Sequence, residues 1–119
     1  MQVEYKNAKV KKQCINPDKE FRWNQNLIIW IATRMFQFMS ATSLLDIKRL
    51  VDANFHPLIW DRKYEIAIDA IIWWKRSKER IIFRPIDWED IFSDMNNDNK
   101  IKTVTKVEIL EISVEHYKK

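Results

Sequence analysis

Glycine is missing altogether from this chain of 119 residues, whereas an average composition of ~7% would supply roughly eight. Glycine serves where the backbone turns through positive φ or passes close to another chain, so other residues must form the turns here. Six tryptophans are present instead, and Trp23, Trp60, Trp73, Trp74 and Trp88 stand where a turn or a polar helix face is expected. This distribution fits a parent chain with glycine at many of these positions, through deliberate replacement or a codon read as tryptophan. An unusual natural composition is the alternative. Cysteine is nearly missing too: Cys14 stands alone, which excludes an internal disulfide, leaves no zinc-type spacing and fits a reducing cytosol. Long apolar runs are also lacking. The greasiest stretch, Leu27 to Met39, is broken by Thr33, Arg34 and Gln37 and falls short of the ~20 residues that span a bilayer. Met1 to Cys14 holds no continuous apolar segment of signal-peptide length. The expectation is a cytoplasmic protein with no membrane association.

What is present favours a folded chain. A hydrophobic share of 46% with 13% aromatic is far from the profile of a disordered chain. The length suits a single domain over residues 1–119 with one buried core. The net charge of +4 is unevenly placed: Lys75, Arg76, Lys78, Arg80 and Arg84 precede Asp87, Glu89, Asp90, Asp94 and Asp98. Such asymmetry admits a phosphate-bearing partner, and equally a solvated hairpin tip beside an acidic loop.

Along the chain, Gln2 to Tyr5 alternates as a short strand, and Asn7 to Cys14 reads as a basic turn of helix stopped by Pro17. From Asn24 to Ser40 the apolar residues Leu27, Ile28, Ile31, Met35, Phe38 and Met39 recur at helical spacing, with Trp30, Thr33, Arg34 and Gln37 on the other side. Thr42 or Ser43 caps a second helix through Phe55 with a buried stripe of Leu44, Ile47 and Val51. Pro57 holds His56 in an extended or turn conformation. Tyr64 to Ala70 alternates like a half-buried strand, although a helix capped by Asp61 competes on spacing alone. Glu79 to Arg84 reads as a third strand, Asp87 to Met95 as one or two helical turns, and Asn96 to Asn99 as a turn. Thr103 to Val114, β-branched and apolar on both faces, suits a central strand. The layout is α+β.

Three segments together resemble the HigB-like toxins of the RelE/ParE superfamily. Val3-Glu4-Tyr5-Lys6-Asn7 with Lys9, Lys12 and Cys14 looks like that family's first strand and basic turn. His56-Pro57-Leu58 followed by Asp61-Arg62-Lys63 and Ala67 is similar to the stretch in which His-Pro-Leu leads through a glycine turn into an arginine-bearing strand, with Trp60 in the glycine's place. Arg80-Ile81-Ile82-Phe83 resembles the next strand, and Val107 to Tyr117 the closing strand with its acidic, His and Tyr tail. Many relatives end Asp-Tyr-His where this chain has Glu115-His116-Tyr117, so which of these side chains enters the groove stays open.

The resemblance implies a RelE-like fold, two N-terminal helices packed on a small antiparallel sheet. It also implies the toxin of a type II toxin–antitoxin system, an mRNA interferase that cuts message on the ribosome and pairs with a helix-turn-helix antitoxin. In such a reaction a ribose 2′-hydroxyl attacks the adjacent phosphate, with no metal and no cofactor. It needs a proton acceptor, cations at phosphorus and an acid for the leaving oxygen. His116 is the foremost proton-transfer candidate, with Glu115 or Tyr117 assisting or substituting. Arg62 and Arg80 would clamp the phosphate from adjacent strands. Lys63 and Arg84 would add charge along the RNA path, although strand alternation turns Lys63 away from the Arg62 face. His56 either contacts RNA or caps the bend before Pro57, and Lys9, Lys11 and Lys12 are candidates for phosphate contacts to ribosomal RNA. Two rivals remain: a ParE-type inhibitor of DNA gyrase, and a catalytically inactive relative that still binds an antitoxin.

Overall fold

The computed structural model describes residues 1–58, 65–70, 79–86 and 95–114. The chain opens with strand β1 (Gln2–Tyr5) and passes through four helices: α1 (Ala8–Ile15), α2 (Pro17–Glu20), α3 (Gln25–Ser40) and α4 (Leu44–Lys48). Strands β2 (His56–Pro57), β3 (Ile66–Asp69) and β4 (Arg80–Pro85) follow, then α5 (Asp98–Ile101) and β5 (Lys106–Ser113). Asparagine and serine start the helices. The side chains of Asn7, Asn24 and Ser43 accept from Val10 N, Leu27 N and Leu45 N, satisfying donors the helices cannot satisfy themselves. Pro17, expected only to stop α1, also opens α2, where its missing N–H costs nothing.

Among the described residues the strands form one sheet in the order β1-β5-β4-β3-β2. β5 is therefore internal, as its apolar content on both faces predicts. The sheet is mixed: β1 runs parallel to β5, while the other three pairings are antiparallel. Where two N-terminal helices on a small antiparallel sheet were expected, the sheet is mixed, and four helices lie between its first strand, β1, and β2. The domain is α+β. A single core cluster joins Leu27, Ile31, Phe38, Leu44 and Ile47 of the helices to Ile66, Ile68, Ile81, Phe83, Val107 and Ile109 of the sheet. Phe38 meets Phe83 edge to face at a centroid distance of 5.0 Å, a favoured geometry for two π-systems.

Several local expectations change. The second helix ends at Lys48 instead of Phe55, and Val51, assigned to its buried stripe, is 92% exposed. Past Lys48 the backbone tightens into turns: Leu50 N donates to Ile47 O and Ala53 N to Leu50 O, each three residues back. Asp52 O accepts from Arg34 Nη2 at 3.2 Å, and Ala53 O accepts from Asp69 N at 2.7 Å. Asn54 then turns through φ 51, the only positive φ among the described residues. β3 is a strand, and all four of its residues are buried, because β2 and β4 flank it and both faces are covered. The asparagine-rich run expected as a turn supports α5, whose first N–H groups at Asn99 and Lys100 donate to the Asn97 side chain. No helix among the described residues is long and apolar enough to cross a membrane.

Candidate functional site

Strand alternation sorts the sheet residues onto two faces. Ile68, Ile81, Phe83, Ile109 and Ile112 belong to the helix-side core. The opposite face is built in rows of register partners. Asp69, Arg80 and Ser113 lie side by side on β3, β4 and β5. The next row is His56, Ala67, Ile82 and Glu111, running from β2 to β5. A register shift in the β4–β5 pairing between Ile82 and Phe83 then restores alternation, and the last row pairs Arg84 with Glu108. Ala67 and Ile82 are buried without belonging to the helix-side cluster, so this face is also shielded from water at its centre.

Arg80 is half-buried, and its Nε lies 4.0 Å from Oδ1 of the buried Asp69. Asp69 joins four elements. Its N–H donates to Ala53 O, its carbonyl accepts from Arg34 Nε at 2.9 Å, and its carboxylate accepts from Asn54 Nδ2 at 3.4 Å. His56 shares the face with Arg80, two strands across and one row along, or ~12 Å between backbones at the usual strand spacing and rise. His56 Nδ1 lies 2.6 Å from Asn54 O, which can only accept, so Nδ1 is the donor in this bond. That bond makes His56 a cap on the bend before Pro57, one of its two expected roles, while leaving Nε2 for a partner. Arg84, on the same face, donates through Nε to Glu108 Oε1 at 2.7 Å in an exposed ion pair.

The other described candidates lie elsewhere. Lys9 and Lys12 are exposed on α1, whose Val10 and Cys14 enter the helix-side core, so they sit on the layer opposite Arg80 and His56. Arg62, Lys63, Glu115, His116 and Tyr117 fall outside the described residues. The structure therefore brings together Arg80, His56 and, in the outer row, Arg84, but not the lysines of α1.

Sequence reasoning missed Arg34. Placed on the polar side of α3, it is in fact 1% exposed and bonded through Nε to Asp69 O, through Nη1 to Gln37 Oε1 at 3.0 Å and through Nη2 to Asp52 O. Burial lowers its pKa from the usual guanidinium value, and Asp69 and Asp52 oppose that shift. A solitary charge inside an apolar helix was the available signal, since a buried arginine persists only where its fork of donors is satisfied. Asp69 and Glu111 were also passed over. No group of three or more His, Cys, Asp or Glu side chains among the described residues is arranged to hold a metal ion. A scan against protein-family models finds no match to this chain, and a search of curated proteins finds none either.

Proposed function

We propose that this chain is a toxin of the RelE/ParE superfamily, HigB-like branch, acting as a ribosome-dependent mRNA endonuclease held in check by a helix-turn-helix antitoxin. The observation that carries this reading is the position of Arg80: half-buried at the start of the central strand β4, on the sheet face turned away from the helices, with His56 on the same face. A guanidinium fixed there can meet a phosphate with two parallel N–H donors, in surroundings less polar than water where such bonds are strong. The 2′-hydroxyl oxygen attacks phosphorus, the bond to the 5′ oxygen breaks, and a cyclic phosphate and a 5′-hydroxyl result. Arg80 stabilises the charge that builds on the phosphoryl oxygens, with Arg62 as its expected companion. His116 transfers the proton, with Glu115 or Tyr117 as alternates. Arg84, paired with Glu108, has at most an outer role along the RNA path.

A second reading, an antitoxin-binding relative without catalysis, is supported by the carboxylates that face both described cations of this face, Asp69 beside Arg80 and Glu108 bonded to Arg84. Primer extension on message from a cell-free translation extract separates the readings. Under the nuclease reading the chain cuts ribosome-bound message. Arg80→Ala then lowers cutting ~10² to 10³-fold, the usual effect of removing a preorganised charge. His116→Ala lowers it ~10² to 10⁴-fold, the range for a lost general acid or base. Lys118→Ala serves as the control. Uncut message with supercoiling defects indicates gyrase inhibition, and uncut message with antitoxin binding alone indicates the inactive relative.

A further inference from the structure

The proposed cleavage uses Arg80 and gives no task to the buried carboxylate beside it. Asp69 closes β3, and its side chain is 5% exposed. Taking a carboxylate out of water is unfavourable unless its charge is matched, so a strand that is otherwise Ile-Ala-Ile gains nothing from it as core. Nor does the junction with the helical layer need the side chain. The backbone of Asp69 makes those bonds, its N–H donating to Ala53 O and its carbonyl accepting from Arg34 Nε. The carboxylate serves the opposite direction: Oδ1 accepts from Asn54 Nδ2 at 3.4 Å and stands 4.0 Å from the buried Nε of Arg80. Asn54 passes the contact on, since its carbonyl accepts from His56 Nδ1 at 2.6 Å. One oxygen thus leads to both Arg80 and His56, to the first directly and to the second through one residue. Asn54 makes this link at φ 51, the only positive φ among the described residues, and backbone held in so sparse a region is concentrated at functional sites.

We propose, resting on the nuclease reading, that Asp69 is the positioning residue of this site: its Oδ1 aims the Arg80 guanidinium at the RNA phosphate and, through Asn54, steadies His56. A guanidinium is a planar fork with distinct edges. A carboxylate on the Nε side fixes the plane, and the edge formed by the two Nη atoms is the one that offers a phosphate two parallel donors. Register agrees with this division. Arg80 is the direct partner of Asp69 on one side and of the uncharged Ser113 on the other, so the charge that orients it within this row comes from β3. An arginine held in advance loses little side-chain freedom when the phosphate arrives, and its charge is in place as the transition state forms. The opposite effect of the same proximity is quenching, in which the carboxylate competes with the phosphate. Removing the charge of Asp69 separates the two.

The test is a double-mutant cycle on the cutting of ribosome-bound message, joined to nitrogen NMR of the Arg80 side chain. Asp69→Asn keeps the shape and the backbone bonds and removes the charge. It lowers kcat by about 10- to 100-fold and changes KM by less than ~3-fold, the pattern of a misaligned group. In an Arg80→Ala background the same substitution adds less than ~3-fold, because Asp69 acts through Arg80, whereas a merely structural role multiplies in full. Rotation about the Nε–Cζ bond of Arg80 speeds by ~10-fold or more in Asp69→Asn, as for a lost contact to a charged group. Arg34 also feels the Asp69 charge, so all variants are compared well below the lowest of their melting midpoints. Arg80→Lys asks the same question with Asp69 untouched: it keeps the charge, has no Nε to be held, and cuts within ~3-fold of Arg80→Ala. Cutting by Asp69→Asn that equals or exceeds the parent's, a full loss in the Arg80→Ala background, unchanged rotation at Arg80, or Arg80→Lys that cuts like the parent overturns the inference. An unmodified chain that cuts nothing overturns the nuclease reading, and the rotation at Arg80 then decides alone whether Asp69 holds this side chain.

Discussion

Replacing Arg34 with alanine tests whether the buried guanidinium organises the junction of α3, the α4–β2 connection and β3. The substitution removes three hydrogen bonds at once and leaves Asp69 O, Asp52 O and Gln37 Oε1 without this donor. Hydrogen bonds to a charged group contribute ~1.5–3 kcal/mol each, but their losses overlap when one side chain makes all three. Removing one member of a buried charged network costs ~3–5 kcal/mol in comparable cases, a large part of the ~5–15 kcal/mol that holds a domain folded. The expected loss for Arg34→Ala is therefore ~3–5 kcal/mol, or ~12–20 °C in melting midpoint at ~4 °C per kcal/mol for a domain of this size. Arg34→Lys keeps the charge but cannot reach three acceptors in different directions, and about half of the loss is expected. Urea titration of the three proteins by circular dichroism measures it. A cost below ~1 kcal/mol for Arg34→Ala would refute the reasoning, because only water can then be satisfying those carbonyls.

Asn54→Ala should cost ~1–2 kcal/mol, because alanine tolerates φ 51 less well than asparagine and the bond to Asp69 is lost, while Asn54→Gly, which loses only that bond, should cost less than half as much in the same titration. Equal costs would mean that the backbone at residue 54 is relaxed in the alanine variant. The Cys14 thiol has its pKa raised by burial to about 12, above the ~8.5 of an unfolded thiol. A raised folded pKa contributes stability fully below the unfolded value and loses it as pH climbs through the folded one. Melting midpoints should accordingly fall between pH ~8.5 and 12, less steeply in Cys14→Ala. Tyr5, raised by burial and then by Cys14, adds a decline of the same sign, so some slope persists in that variant. Trp60→Gly should stabilise the chain by the ~1–2 kcal/mol that a left-handed turn costs a residue with a Cβ, read as a higher melting midpoint. An unchanged or lower midpoint would place residue 60 in a conformation that needs no glycine.

Much of this fold is legible in the residues themselves. Alternation in Gln2–Tyr5, 3.6-residue spacing in Gln25–Ser40 and β-branched content in Lys106–Ser113 each mark their element, since all three patterns depend only on neighbours along the chain. What is decided across space was not legible. In α3 the stripe of Leu27, Ile31, Met35 and Phe38 is buried as read, whereas Met39 of that stripe is 53% exposed and Arg34, placed on the polar side, is buried. Arg34 settles the rotation by bonding to carbonyls 18 and 35 residues away. The parallel pairing of β1 with β5 joins segments about a hundred residues apart and leaves no periodicity to read. At the site, resemblance pointed to Arg80, but no local pattern announced that Asp69 would stand beside it or that Glu108 would occupy Arg84.

The absence of glycine can now be weighed position by position. Among the described residues only Asn54 has positive φ, and asparagine is the residue other than glycine that best tolerates that region. Asparagine also caps α1, α3 and α5 through Asn7, Asn24 and Asn97, where its side chain bonds to backbone N–H groups that glycine would leave to water. These parts of the chain are thus built for other residues and do not merely tolerate the lack of glycine. Trp23 sits in the turn between α2 and α3 without a positive φ and packs edge-on against Phe21 at 6.0 Å. Its backbone asks for no glycine, and the ring has a contact of its own. The case for a glycine-bearing parent therefore loses Trp23 and rests on Trp60, Trp73, Trp74 and Trp88, all outside the described residues. Restoring glycine at 60 should consequently stabilise the chain while Trp23→Gly destabilises it, because one change would relieve the backbone and the other would only free it and remove a ring.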